Sequence, residues 1–259
     1  MRNQVLVSAG DAITAKLVQE SGFDGIWISG FESSARLGLP DDGSITMTEM
    51  INIAKPIVEA VQIPVWVDVD TGYGNFYRTL KEFERIGVSG VCVQDDLEGH
   101  KTNSLWGGGS KLMDYYEFSE KLNVPRKIQI IARTEALIRG YGLTDAVIRA
   151  AQYAKYADYI LIHSRDTKGK EAPKISKAWK GIKQETPLVI VPTKFPRIKN
   201  QLLFDLGFSM VIWANQTERV KIKATRECLG SLKSSDCAEY IEAHLSSTLD
   251  DMKGLTANV

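Results

Sequence analysis

Asp68 and Asp70 are the residues whose type and spacing most directly predict chemistry. They stand two positions apart on a segment predicted to be extended, so their side chains share one face. Two carboxylates directed at one point repel each other, and a hard divalent cation that takes oxygen ligands, Mg²⁺ or Mn²⁺, relieves the repulsion. The alternative is an ordinary tight turn, since residues 68–74 also have strong turn composition. The polar run of Gln94, Asp95 and Asp96 ends the next predicted strand and favours the metal site.

Arg133 and His163 also stand at the ends of predicted strands. A buried Arg needs an anion, and its planar fork suits a carboxylate or a phosphate. Arg133 therefore predicts an anion-binding site, with a structural ion pair to Glu135 as the alternative. His163 and the adjacent Ser164 could supply a base or an anion donor, or His163 could be a structural histidine.

Eight short runs rich in β-branched residues must position these side chains, and helical patterns separate the runs. The runs are near-continuously apolar, which is typical of parallel strands covered on both faces. We predict strands at residues 5–7, 25–29, 64–68, 90–94, 128–132, 159–163, 188–191 and 210–213. Helices are predicted at residues 12–19, 48–61, 76–86, 146–156, 217–229 and 235–250. This order favours the α/β class, a (β/α)8 TIM-type barrel with extra C-terminal helices, with an open doubly wound sheet as the alternative.

Residues 1–259 form a single domain in this interpretation, because no linker rich in Pro, Ser or Gly interrupts the chain. The helices at about 217–250 exceed what eight βα units need, and we expect them to serve a homo-oligomer, a dimer or a tetramer. In a barrel the carboxyl ends of the strands meet on one face, and polar residues follow seven of the predicted strands, which predicts an enzyme. The Gly-rich residues 98–110 at that face predict a mobile lid, with an ordinary loop as the alternative.

Charge and cysteine content exclude several classes of function. Lys and Arg number 32, as do Asp and Glu, so the basic footprint of nucleic-acid binding is missing. The apolar runs are far shorter than the roughly 18–20 residues that span a bilayer. Cys92, Cys228 and Cys237 have no metal-binding spacing and predict free thiols in a reducing cytoplasm, with Cys92 packed in the core. We therefore predict a cytoplasmic protein that acts on a small molecule and binds neither nucleic acid nor membrane.

The polar strand ends carry motifs that closely resemble those of the phosphoenolpyruvate mutase family, a branch of the isocitrate lyase/phosphoenolpyruvate mutase superfamily. The resemblance runs in order from about residue 5 to residue 215. The Asp-x-Asp-Thr-Gly-Tyr-Gly run at residues 68–74 marks the superfamily, and the Lys-Thr-Asn-Ser run at residues 101–104 points to the branch that handles phosphonopyruvate. Further matching segments are residues 27–30, 35–39, 131–135, 163–164, 191–194 and 211–215, together with Asp41.

This resemblance implies an isomerase that interconverts phosphoenolpyruvate and phosphonopyruvate with Mg²⁺, as in phosphonate biosynthesis. Asp68 would hold the metal directly, and Asp70 and an acid of the fourth strand would act through water. The substrate carboxylate would lie on the backbone of Ser29, Gly30 and Phe31. Catalytic roles would fall to Asp41, Asn103, Arg133 and His163, with Asn103 and Ser104 closing over the phosphoryl group. Trp27 and Lys101 complete the implied substrate-binding set.

The match breaks at the end of the fourth strand, where the family has Glu-Asp-Lys and this chain has Gln94, Asp95 and Asp96. Counting from Cys92 puts Gln94 in the position of the Glu, whereas counting back from Lys101 puts Asp95 there. Strand alternation favours Gln94, and a β-bulge would favour Asp95. With Gln94 in place the outer metal shell loses a negative charge, so we expect looser metal binding.

Three other functions compete with the mutase. In phosphonopyruvate hydrolases, which are close relatives, the position of Asn103 tends to be Thr, so Asn103 favours the mutase. The carbon–carbon lyases of the superfamily carry a Cys as general acid in this loop, and here the matching residues are Lys101 to Ser104, without a Cys. A non-catalytic barrel that binds an oxyacid is the alternative outside the enzymes.

Overall fold

A computed structural model of the protein describes residues 2–106 and 111–256. Within these ranges eight parallel strands alternate with helices, and β8 pairs with β1, so the sheet closes into a barrel. The strands are β1 (Gln4–Ser8), β2 (Gly25–Ile28), β3 (Val65–Asp68), β4 (Gly90–Gln94), β5 (Gln129–Thr134), β6 (Tyr159–Ile162), β7 (Leu188–Ile190) and β8 (Phe208–Trp213). The predicted (β/α)8 barrel is confirmed, and the closing β1–β8 pair excludes the open sheet.

The helices follow the predicted alternation and extend it. They are α1 (Ala12–Glu20), α2 (Gly30–Arg36), α3 (Met47–Ala60), α4 (Phe76–Ile86), α5 (Tyr115–Leu122), α6 (Gly142–Tyr153), α7 (Glu171–Gly181), α8 (Asn200–Leu206), α9 (Gln216–Ser235), α10 (Glu239–His244) and α11 (Leu249–Thr256). The single helix predicted at residues 235–250 is wrong. Asp236, at a φ of 54°, ends α9, and Thr248 caps a new helix through its hydroxyl, which accepts from Asp251 N at 3.0 Å.

The barrel interior is filled by side chains of the strands. Trp66 of β3 and Tyr159 of β6 meet edge to face, with ring centroids 5.5 Å apart. A Cβ at Gly90, the partner of Trp66 in the neighbouring strand, would overlap the Trp66 ring, so the indole requires glycine there. Cys92 is fully buried in this cluster, as predicted. Because this packing closes the barrel axis, a ligand must bind at one end of the barrel.

The helices bury one face each against the outside of the sheet, as α4 illustrates. Its first turn is capped by Asn75, whose side chain accepts from Arg78 N, and Gly87 ends it at a φ of 85°. The apolar residues Phe76, Leu80 and Phe83, which recur every three or four positions, are all buried. Burial of each such side chain contributes roughly 1.5–3 kcal/mol. Among the described residues, the helices include none that is long and apolar enough to cross a membrane.

Candidate active site

A cavity opens at the carboxyl ends of the barrel strands, and nearly all of the predicted site residues line it. The site residues on its wall are Trp27, Ser29, Phe31, Asp41, Asp68, Asp70, Gln94, Lys101, Asn103, Ser104, Arg133 and His163. Gly30 lies beside Asp68 and Asp70. The barrel thus gathers residues that are more than 130 positions apart in the chain, because parallel strands present their carboxyl ends on one face.

Asp68 and Asp70 converge through a turn and not through strand alternation. β3 ends at Asp68, and Asp70 has a left-handed backbone with a φ of 50°. Asp70 N donates to Asp68 Oδ1 at 3.2 Å, and Gly72 N donates to Val69 O at 2.7 Å. The turn composition and the carboxylate pair are therefore two aspects of one structure, since Asp tolerates the left-handed region better than most residues.

Gly30 leaves the space beside these carboxylates open. A Cβ at this position would lie 2.9 Å from Asp70 Oδ1 and 3.6 Å from Asp68 Cγ. Among the described residues, neither oxygen of Asp70 has a hydrogen-bond partner, although Lys101 Nζ lies 2.9 Å from Oδ1. Burial raises the pKa of the Asp70 carboxyl, as do Asp68 and Asp41, whereas Lys101 opposes the rise. The pair is therefore a site of concentrated, incompletely compensated negative charge.

The structure decides between Gln94 and Asp95 at the end of β4. Gln94 lines the cavity, whereas the carboxylate of Asp95 lies on the opposite face of the strand. There it accepts from Thr134 Oγ1 at 2.8 Å, from Tyr153 Oη at 2.8 Å and from the backbone N of Glu135 at 2.9 Å. Asp95 as a metal-shell residue is therefore wrong, because β4 stays regular to Gln94 and its side chains alternate.

The oxygens around Gly30 fit a hard divalent cation, the kind of ion that the resemblance implies. Within residues 2–106 and 111–256, His, Cys, Asp and Glu nowhere cluster in a group of three that could ligate a metal. The candidate donors are two carboxylates, Asp68 and Asp70, with the amide oxygen of Gln94, which is buried and lacks a hydrogen bond in the described chain. A site in which Asp68 is the expected direct ligand and the other two groups contact metal-bound water suits Mg²⁺, which keeps several of its waters.

Arg133 links the carboxylate pair to the rest of the site. Its Nη1 donates to Asp68 Oδ2 at 3.2 Å, its Nε to Glu135 Oε1 at 2.5 Å and its Nη2 to Ser104 Oγ at 2.7 Å. Burial alone would lower the pKa of the guanidinium, but Glu135 and Asp68 outweigh burial and raise it. Arg133 therefore forms the ion pair with Glu135 and also faces the cavity, and binding of an anion there stays a prediction.

His163 is oriented by Glu135. Its Nδ1 lies 2.8 Å from Glu135 Oε1, and Glu135 is fully buried. Burial alone would raise the pKa of Glu135, but the charges of Arg133 and His163 hold it below its usual range. An ionised carboxylate only accepts hydrogen bonds, so Nδ1 carries the proton and Nε2 is the ring nitrogen left for a ligand. Ser164 points elsewhere and donates to Glu171.

Residues 98–106 cover the mouth of the cavity, and we call them the lid. Lys101 Nζ and Asn103 Nδ2 both donate to Asp41, the latter at 2.5 Å, and Trp106 meets the Phe31 ring edge to face. Leu97 N donates to Lys111 O at 2.7 Å and so closes the base of the lid. The predicted lid also includes residues 107–110, which lie outside the described chain.

Thr193 and Asn215 line the cavity too, and sequence reasoning missed both as site residues. Their Thr193 Oγ1 and Asn215 Oδ1 atoms are buried without a hydrogen-bond partner in the part of the chain that the structure describes. Their positions just after β7 and β8 were the available signal. Lys194, in contrast, lies on a separate groove with Thr167.

A closed (β/α)8 barrel with carboxylates, a guanidinium and an imidazole gathered at the carboxyl ends of its strands is typical of enzymes that bind small anionic substrates. The family model for phosphoenolpyruvate phosphomutase matches residues 2–233. The chain belongs to this family and, with it, to the isocitrate lyase/phosphoenolpyruvate mutase superfamily of enzymes.

Known proteins of this family are similar along nearly the whole chain. Phosphoenolpyruvate phosphomutase of Tetrahymena pyriformis is 33% identical over 232 residues, which cover 86% of this chain and 76% of that protein. The crystal structure of phosphoenolpyruvate phosphomutase from Streptomyces platensis subsp. rosaceus superposes with a TM-score of 0.94 at 32% identity, covering 99% of this chain and 91% of that one. Phosphonopyruvate hydrolase in complex with oxalate and Mg²⁺ superposes with a TM-score of 0.89 at 30% identity, with the same coverage. Lyases are also among the relatives.

Proposed function

We propose that this protein is a Mg²⁺-dependent phosphomutase that interconverts phosphoenolpyruvate and 3-phosphonopyruvate. The observation that carries the proposal is the arrangement of Asn103, a neutral amide on the lid that is held over the cavity by Asp41. Mutase and hydrolase relatives share the barrel, so the lid is where the two activities are expected to differ. Formation of phosphonopyruvate would serve phosphonate biosynthesis.

The reaction moves a phosphoryl group from oxygen to carbon within one molecule. In phosphoenolpyruvate the P–O bond breaks, its electron pair stays on oxygen, and an enolate of pyruvate and a loose, metaphosphate-like group result. The electron pair of the enolate C=C bond then forms the new P–C bond at C3. Atoms and electrons balance without a proton or a second substrate.

The chain's own residues would hold these two fragments. Arg133 faces the cavity with its guanidinium fixed by Glu135, Asp68 and Ser104, so its charge is available to the enolate and carboxylate oxygens at no cost of reorientation. His163, oriented by Glu135, would donate to the phosphoryl oxygens from Nε2 when that nitrogen carries a proton. The backbone of Ser29, Gly30 and Phe31 would receive the substrate carboxylate.

A divalent cation, when bound, supplies positive charge that stabilises the enolate and orients its oxygens. Asp68 and Asp70 would hold it, with the Gln94 oxygen contacting one of its waters. The amide of Gln94 is a weaker partner for such a water than a carboxylate, by up to about 1–2 kcal/mol. Mn²⁺ would substitute for Mg²⁺, because both ions accept the same oxygen ligands.

Transfer requires that water be kept from the phosphoryl group. The Asn103 amide is oriented at both ends, because Nδ2 donates one hydrogen to Asp41 and Oδ1 accepts from Leu105 N at 2.8 Å. The second N–H of Nδ2 would then donate to a phosphoryl oxygen. A neutral amide in this position can hold a phosphoryl group without removing a proton from water. This property favours transfer over phosphonopyruvate hydrolysis, the second candidate function.

³¹P NMR of phosphonopyruvate with the purified protein and Mg²⁺ tests the proposal directly. Appearance of phosphoenolpyruvate would support the mutase, whereas pyruvate and phosphate would identify a hydrolase. Loss of either reaction after removal of divalent ions by a chelator, and its return with Mg²⁺, would support the metal. Absence of any conversion would contradict both candidate functions.

A further inference from the structure

Gln94, Asp96, Arg139 and Thr102 form a buried chain of hydrogen bonds behind the cavity wall. Gln94 Nε2 donates to Asp96 Oδ2 at 2.7 Å. Arg139, which follows β5, donates from Nε and Nη2 to the two oxygens of Asp96 at 3.0 and 2.6 Å. The same guanidinium donates to Thr102 Oγ1 at 2.7 Å and to Thr102 O at 3.0 Å. The Arg139 guanidinium therefore joins Thr102 of the lid to Asp96, which accepts the hydrogen bond from Gln94.

Asp96 determines which end of the Gln94 amide faces the cavity. A carboxylate paired with a guanidinium only accepts hydrogen bonds, so the amide must present its NH₂ group to Asp96. Its oxygen is then left toward the cavity, where it has no hydrogen bond among the described residues. An acceptor at this position suits a metal-bound water, whereas an NH₂ group would repel the ion. Asp96 thus allows the neutral side chain of Gln94 to present an oxygen to the metal site, at a position where the family has a carboxylate.

Arg139 binds Asp96 and the lid with the two edges of one rigid plane. Its side chain is 1% exposed and that of Asp96 is fully buried, so water is unavailable to replace a lost bond. Removal of one partner from a buried pair is costly because the other charge is left without compensation. Arg139 therefore holds the lid closed at Thr102 while the same guanidinium is paired with Asp96.

We propose that Asp96 and Arg139 form a positioning unit that sets the Gln94 oxygen and the closed lid together. The inference rests on the proposed function for its purpose, because a single closed arrangement would present metal, substrate and lid residues at once. Neither residue lines the cavity, so both act through Gln94 and Thr102.

The lid half of the proposal is tested by limited trypsin digestion of the full chain without substrate. Lys101 is buried, so cleavage after it reports opening of the lid. Arg139→Met should speed this cleavage about fivefold or more, since cleavage of a transiently open state tracks its population. Arg126→Met is the matched control, because Arg126 bonds Tyr156 O and Asp158 far from the lid. Equal rates in Arg139→Met and Arg126→Met would overturn this half.

Thr102→Val keeps the test available if Arg139→Met does not fold. It removes only the hydroxyl that accepts from Arg139 and keeps the backbone contact. Cleavage after Lys101 should rise about twofold to threefold, with cleavage elsewhere unchanged. An unchanged rate would show that Arg139 does not hold the lid.

The Gln94 half is tested by Mn²⁺ binding, measured by electron paramagnetic resonance without substrate. Asp96→Asn should weaken binding about tenfold, because residues that orient a metal site commonly contribute that much to affinity. In a Gln94→Leu background the same substitution should have no further effect on Mn²⁺ binding. Unchanged affinity in Asp96→Asn, or additive losses in the double variant, would overturn the proposal.

Gln94→Glu provides a second variant for the case that Asp96→Asn does not fold. Its carboxylate would meet Asp96 at the present 2.7 Å contact, so Mn²⁺ should bind no tighter than to the wild type despite the added charge. Tighter binding would mean that Asp96 does not control residue 94. Failure of the wild-type protein to bind Mn²⁺ would overturn the Gln94 half of the proposal. A chain that passes these tests but converts no phosphonopyruvate would contradict the proposed function alone.

Discussion

Asn103 Nδ2 donates a hydrogen bond of 2.5 Å to Asp41 Oδ2, which joins the lid after β4 to the segment after β2. Lys101 donates to the other oxygen of the same carboxylate and also lies 2.9 Å from Asp70 Oδ1. Burial alone would lower the pKa of Lys101, but Asp70 and Asp41 outweigh burial and raise it. Closure of the mouth therefore depends on Asp41 as much as on the lid itself.

Asn103→Ala should suppress conversion of phosphonopyruvate to phosphoenolpyruvate strongly and leave the fold intact, since a lid residue contributes little to the core. Some substrate should instead yield pyruvate and phosphate, because the phosphoryl group is less well shielded from water. ³¹P NMR of the products measures both effects.

His100→Ala is the control for this prediction, because His100 is exposed on the same lid. It should retain wild-type rates and products. Unaltered mutase turnover in Asn103→Ala would remove Asn103 from the mechanism.

Arg133→Lys should lower kcat/KM at least about tenfold, which corresponds to ~1.4 kcal/mol of transition-state stabilisation. Lysine keeps the charge but cannot bond Asp68, Glu135 and Ser104 at once in the planar geometry of the guanidinium. Steady-state kinetics measures the change, and Arg126→Lys is the control. A wild-type kcat/KM would mean that Arg133 serves only as the structural partner of Glu135.

Asp68→Ala should abolish activity and the stabilisation of the protein by Mg²⁺, since Asp68 is the expected direct ligand of the cation. Asp70→Ala should reduce both effects less, because Asp70 is expected to act through water. Thermal unfolding with and without Mg²⁺ measures binding independently of turnover. Retention of the Mg²⁺-dependent shift in Asp68→Ala would contradict the metal assignment.

Glu32 predicts a pH dependence of stability at the start of α2. Burial raises the pKa of Glu32 from its usual 4.5 to about 7, and Glu218 raises it further, while Ser8, Arg36 and Lys221 oppose the rise. The unfolded chain ionises near pH 4.5 and the folded chain near 7. The contribution of Glu32 to the free energy of unfolding is therefore fully present below about pH 4.5. It is lost as pH rises to 7, and the total loss is up to about 3 kcal/mol.

Glu32→Gln should remove this loss, because an amide keeps the bond from Ser8 Oγ, now 3.0 Å, and does not ionise. The free energy of unfolding of the variant should exceed that of the wild type at pH 8 and approach it at about pH 4.5. Denaturant unfolding at the two pH values measures the difference. Glu59→Gln is the control, because Glu59 is exposed on α3. If Glu32→Gln changed the free energy of unfolding no more than Glu59→Gln does, Glu32 would not titrate in this range.

α9 predicts self-association of the chain. Its 20 residues lie within the described range and none is buried, although Ile222 and Leu229, seven positions apart on one face, are apolar. The double variant Ile222→Asp and Leu229→Asp should lower the molar mass in light scattering from that of a dimer or tetramer to that of the monomer. Lys223→Asp on the same helix should not, and a monomeric wild type would contradict the prediction.

The alternation of apolar strands and amphipathic helices was sufficient to predict the barrel, because covered parallel strands leave a periodicity that local sequence carries. The eight strands were placed within about two residues of their bounds, as with the run at 90–94 that is β4. The helix predicted at 235–250 failed because Asp236, which ends α9, and Thr248, which caps α11, divide the segment among three helices.

The sequence was sufficient to predict which residue types stand at the strand ends, because an active site at the mouth of a barrel needs particular polar side chains. These residues are the carboxylates, Arg133, His163 and the Lys101–Ser104 run. Their mutual arrangement was not predictable, since it depends on dihedral angles and on contacts between distant segments. The left-handed backbone of Asp70 turns its carboxylate toward Gly30, and strand alternation directs Gln94 inward and Asp95 outward. The Asp96–Arg139 pair joins residues 43 positions apart, and the parallel pairing of β4 with β5 brings them within hydrogen-bond distance.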